Sequence, residues 1–118
     1  MRKNLVYDFK PIVSGDMSLP SIDGSISDVS QYDTVTYEFI WAGGNTTNGS
    51  VSLRYSKDGI NFYPLDFGSV IPADGATGNH QLIVTEIGFR YLQPVYTRLD
   101  VGATGSINCS IFQTNKGA

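Results

Sequence analysis

Apolar and polar residues alternate with a period of two along most of this chain, and no helical period ever replaces that pattern. Val35, Tyr37, Phe39 and Trp41 share one side of a run whose other side carries Thr34, Thr36, Glu38 and Ile40. Val51, Leu53 and Tyr55 alternate with Ser52 and Arg54, and Ile107, Cys109 and Ile111 alternate with Ser106, Asn108 and Ser110. Successive side chains of an extended chain point to opposite faces, so each run is a strand with one face for a core and one for solvent. Returning strands are read at 61–66, 80–87 and 90–98. Pro94 falls inside the last of these. Proline offers no donor to a ladder, so the sequence predicts an edge position or a bulge there.

The breaks between strands are equally regular. Ser56-Lys57-Asp58-Gly59-Ile60-Asn61-Phe62-Tyr63 joins two alternating runs through Asp-Gly. Gly59 can take a positive φ without a Cβ clash, which predicts a hairpin built on a type I turn closed by a glycine bulge. Residues 43–49 read as a flexible polar loop, and 72–79 and 102–105 as further turns. Short strands at this spacing predict an all-β fold: a single antiparallel β-sandwich, jelly-roll or immunoglobulin-like, over 26–118. Residues 1–25 fit less well, because Pro11, Gly15, Pro20 and Gly24 interrupt them. They read as an extended N-terminal arm that pairs partly with the sandwich or with a neighbouring copy.

At 118 residues, one domain of this size buries about two-thirds of the surface its unfolded chain exposes, enough for a core without staples. Only 16% of residues are charged and the net charge is −3. A nucleic-acid partner would require clustered Lys and Arg, so none is expected. Five acids between Asp16 and Glu38 match no calcium-loop spacing and read as a solvated edge. No segment has the length and apolarity of a membrane span or a signal peptide, which predicts synthesis in a cytoplasm and no membrane partner. The sequons at Asn45, Asn48 and Asn108 carry little weight in so Asn-rich a chain.

The chain offers little for catalysis. Cys109 is the sole cysteine, so it forms no intrachain disulfide, and its place among Ile107 and Ile111 reads as a buried structural thiol. His80 is the sole histidine, and a zinc site would need more Cys or His ligands than exist. No nucleophile elbow or phosphate loop occurs, and Asp58, Asp66 and Asp74 form no telling pair. No enzyme and no cofactor are expected. Aromatic residues are numerous, and most alternate into strands as core. Phe62 and Tyr63 are neighbours, so their side chains leave a strand on opposite faces and one can be exposed.

The order of motifs carries a resemblance. A strand ending Phe39-Ile40-Trp41 leads to a Gly/Thr/Asn loop, Gly-Ser-Val-Ser-Leu at 49–53 and Ser-Lys-Asp-Gly-Ile-Asn-Phe at 56–62. Gly88-Phe89-Arg90-Tyr91-Leu92, Tyr96-Thr97-Arg98 and Gly105-Ser106-Ile107 follow. Over 30–114 this resembles the small β-sandwich structural proteins of tailed-bacteriophage virions. Phe62 stands where that family usually has Trp, and Gln93-Pro94 interrupts a strand that is continuous there. The resemblance implies a virion protein made in the bacterial host, present in many copies and decorating or cementing the shell by binding the major capsid protein. Leu5, Val6, Tyr7 and Phe9 are the candidate attachment residues. The alternative is a carbohydrate-binding module of a head or tail fibre, with Phe62 or Tyr63 stacking on a sugar beside loops 43–49 and 72–79.

Overall fold

The computed structural model describes residues 7–30, 32–45, 48–65, 71–85 and 88–114. Their strands are β1 (Tyr7–Asp16), β2 (Ser21–Asp23), β3 (Ser27–Asp28), β4 (Thr34–Ala42), β5 (Gly49–Ser56), β6 (Tyr63–Pro64), β7 (Ile71–Pro72), β8 (Thr77–Val84), β9 (Tyr91–Arg98) and β10 (Ser106–Thr114). Two antiparallel sheets pack together, one in the order β1-β10-β4-β8 and the other β2-β9-β5-β6. In the second sheet β3 also pairs with β9, and β7 with β5. With β2/β3 and β6/β7 each taken as one interrupted strand, the chain crosses between the sheets at nearly every step. That is the wrap of a jelly roll, which decides between the two sandwich types left open by the sequence.

The alternating runs meet in the core as their pattern demands. Val35, Tyr37, Phe39 and Trp41 of β4 are buried, as are Ile107, Cys109 and Ile111 of the neighbouring β10. Val51 and Leu53 of β5, with Leu92 and Tyr96 of β9, face them from the other sheet. Each large side chain so buried stabilises the fold by roughly 1.5–3 kcal/mol. The register between β10 and β4 runs without a slip from Ser106↔Ala42 to Thr114↔Thr34.

Pro94 corrects one expectation. The strand β9 is interior, between β5 and the β2/β3 pair, and its register with β5 is continuous from Gly49↔Arg98 to Ser56↔Tyr91. The outer neighbour breaks instead: β2 ends with Asp23 opposite Val95, and β3 resumes with Ser27 opposite Leu92. An antiparallel residue turns its N–H and C=O to the same side. The Pro94 carbonyl accepts the Gly24 N–H at 2.8 Å across this break, so the missing donor also faces the break and costs the β5 ladder nothing. A Cβ on Gly24 would lie 2.6 Å from Pro94 Cγ, so only glycine fits there.

The N-terminal segment is integrated from Tyr7 onward. Pairs from Tyr7↔Gln113 to Asp16↔Ser106 join β1 to β10, with register shifts on either side of Ile12. Ile12 and Met17 lie in the core, and β2 and β3 extend the second sheet. The sandwich therefore starts at β1, and only residues 1–6 of the predicted arm lie outside the described residues.

At the end of the sandwich where β4 passes into β5, the connections are fastened from within. Asn48 is fully buried. Its Nδ2 donates to the Thr104 carbonyl at 2.8 Å, and its Oδ1 accepts from the N–H groups of Thr104 and Asn45. Asp74 Oδ1 accepts from Asn48 N–H at 2.7 Å and from Gly49 N–H at 3.2 Å. Trp41 Nε1 donates to the Asp74 carbonyl, and the Tyr96 hydroxyl donates to the Met17 carbonyl, each at 2.9 Å. The flexible loop expected at 43–49 is thus held at Asn45 and Asn48.

Candidate functional site

The opposite end carries the hairpin between β5 and β6. Ser56 at the end of β5 is buried, and its Oγ accepts the Gly59 N–H at 2.9 Å while donating to Asp58 Oδ1. The same Oδ1 accepts the N–H groups of Ile60 and Asn61, each at 2.9 Å, and Oδ2 accepts from Asn61 Nδ2. Gly59 has φ 78°, where a Cβ would be strained. A short acidic side chain that bonds its own backbone two and three residues on closes the turn without help from the core. These donors, the Asn61 N–H first and the Ile60 N–H next, hold the Asp58 carboxyl well below the ordinary aspartate range.

Aromatic rings support the turn. A Cβ placed on Gly59 would come within 3.2 Å of Tyr91 Cε2, so the turn backbone lies close over that ring. The Arg90 guanidinium sits 5.3 Å from the Tyr91 centroid, and its Nε donates to Asp28 Oδ2 at 3.0 Å. Tyr55 and Tyr63 are cross-strand partners with ring centroids 6.0 Å apart, and Phe89 backs Tyr55 at 5.1 Å. Between the turn and these rings lies a concavity of about 360 Å³ lined by Tyr55, Lys57, Asp58, Asn61 and Tyr63. Two tyrosines, an aspartate, an asparagine and a lysine thus line one concavity. That set suits a small ligand with an apolar face and several hydroxyls.

The sequence-predicted residues are placed unequally. Tyr63 is 55% exposed and lines the concavity, whereas Phe62 is half-buried and does not line it. The described residues of loops 43–49 and 72–79 do not line the concavity with Tyr63. Gly49 and Tyr55 stand at opposite ends of β5, about 20 Å apart at strand rise, so the sugar site drawn from both is corrected. Leu5 and Val6 lie outside the described residues. Tyr7 and Phe9 belong to β1, where their backbones pair opposite Gln113 and Ile111. Burial pushes the Cys109 thiol up, away from the reactive thiolate. His80 is exposed on β8. Sequence reasoning missed Tyr55 as a site residue because its alternation with Leu53 reads as core. Its pairing with Tyr63 follows only once the turn length is known.

No protein-family model and no curated protein sequence matches the chain. Solved structures do. The SPBc2 prophage-derived protein YomS shares the fold with a TM-score of 0.66 at 10% identity, over 98% of this chain and 97% of that one. Dimeric latent PorU from Porphyromonas gingivalis gives a TM-score of 0.46 at 11% identity, with 95% of this chain matching 13% of that one. A Bacillus endospore appendage pilus protein gives 0.42 at 12% identity, over 98% and 87% of the two chains. At such identities these likenesses concern the fold, and only the first is a full-length one of sufficient closeness to argue from.

Proposed function

We propose that this protein is a non-enzymatic structural component of a tailed-phage virion that decorates or cements the capsid shell. Two independent lines support the reading: the ordered motifs over 30–114 resemble virion sandwich proteins, and the fold matches a prophage-derived protein from end to end. The second observation carries it: a prophage-derived protein shares the fold over 98% of this chain and 97% of its own. The partner is the major capsid protein or another virion protein, bound by many copies. Each copy buries a modest area, and multiplicity turns weak contacts into reinforcement of the shell.

Attachment is assigned to the N-terminal segment containing Leu5 and Val6, continuing into β1. Because Tyr7–Asp16 is a strand that covers β10, the informative deletion stops at residue 6. Purified protein lacking residues 1–6 should stay folded and lose co-sedimentation with undecorated capsids. Full binding by the truncated protein would overturn the assignment, and no binding by the intact protein would overturn the function.

The concavity beside Tyr63 favours one further reading, recognition of a saccharide at the host surface by a head or tail fibre. A glycan array would show a signal that Tyr63→Ala removes, whereas a shell protein without sugar recognition shows none.

A further inference from the structure

Among the described residues the two sheets end in four outer edges, and these are not alike. Exposed edges invite pairing with other chains, and natural sheets blunt them with prolines, charges, bulges or shortness. The edge at β1 contains Pro11, two register shifts and Ser14 at φ 49°, whose N–H is already taken by Asn108 Oδ1 at 2.7 Å. The edge formed by β2 and β3 has only three and two residues and is broken at Gly24. The edge formed by β6 and β7 has two residues in each, with Pro64 in one and Pro72 in the other.

None of these devices occurs in β8. Its eight residues pair with β4 without a slip, from Val35↔Val84 to Ala42↔Thr77. The sequence Thr-Gly-Asn-His-Gln-Leu-Ile-Val contains no proline and no Asp, Glu, Lys or Arg. On the side away from β4, every second residue presents its N–H and C=O outward. Asn79, His80 and Gln81 are exposed at its centre, and Ile83 is 55% exposed near its end.

We propose that β8 is the surface on which two copies of this chain pair, edge to edge and antiparallel, about a two-fold axis. The pairing joins two four-stranded sheets into one of eight strands. The occupant is a second copy because an antiparallel strand complements itself about such an axis, as isologous dimers require. Charge points the same way. Each chain carries −3 overall, and an uncharged edge is where two of them approach without placing like charges in contact. The proposal does not depend on the capsid reading, since self-association is measured on the purified chain with no capsid present.

The test is sedimentation equilibrium combined with amide hydrogen exchange at low and high protein concentration. A dimer is expected, with protection that rises with concentration at amides within 77–84. Gln81→Lys should raise the dissociation constant roughly tenfold or more, by setting two ammonium groups close to the axis. The monomer should keep its melting temperature, because residue 81 is exposed and lies beside Glu38, 3.3 Å from the native amide. A wild-type monomer at every concentration would overturn the proposal. So would a dimer whose concentration-dependent protection lies on another strand, or one indifferent to Gln81→Lys. The exchange experiment on wild type needs no variant to fold.

Discussion

At one end of the jelly roll Asn48 and Asp74 turn their polar atoms inward, and at the other Asp58 and Asn61 satisfy each other at the surface. The first pair spans connections distant in sequence: Asn48 reaches Thr104, and Asp74 reaches back to Asn48 and Gly49. The second is local, with every Asp58 partner between Ser56 and Asn61. An inward network ties the two sheets, so losing it strands buried partners. A local network fixes only the shape of its own turn. The fastened end therefore serves stability, and the hairpin end is free to present a concavity.

Substitutions at the two ends should differ in size and reach. Asn48→Ala should have the largest effect, about 2–4 kcal/mol in urea unfolding, from a buried cavity and unpaired groups at Thr104. Asp74→Ala should cost about 1–2 kcal/mol, because two N–H groups lose a charged acceptor near the surface. A loss from either variant no larger than that of a surface substitution would erase the proposed contrast.

Asp58→Asn should act locally, speeding exchange at the Ile60 and Asn61 amides while leaving the amides of β4 and β10 unchanged. Its pH dependence has a fixed sign. The folded carboxyl is held below its ordinary value of 3.8, so its contribution is complete above that value and is lost as the pH falls through the lowered one. Wild-type hairpin amides should thus deprotect in acid below the ordinary aspartate range, and the Asn variant should not show that step. Asp16 and Asp28, lowered chiefly by bonds from Ser18 and Ser30, add to the same acid loss elsewhere in the fold. Tyr63→Ala should be smallest in stability, since that ring is more than half exposed. Under the proposed saccharide reading, its effect belongs to binding.

How legible each end was in the sequence follows from the range of its contacts. The strand faces at Val35–Trp41 and Ile107–Ile111 could be read directly, because period-two alternation is a local consequence of backbone geometry. The hairpin was legible for the same reason: Asp58 and Gly59 act within a few residues. The Asn48 anchor was not, since its partners lie at Thr104 and Met17, and a Gly/Asn/Thr stretch looks the same whether fastened or loose. Pro94 misled because its missing donor was accommodated by a break in another strand, at Gly24, rather than in its own. The unprotected edge of β8 was visible only once the strand order showed which strands are outermost.

The proposed capsid binding is tested most directly by quantitative mass spectrometry of purified virions of a phage whose genome encodes this chain. The account predicts this chain in copy numbers comparable to those of the major shell subunit. A handful of copies per particle, or none, would contradict it.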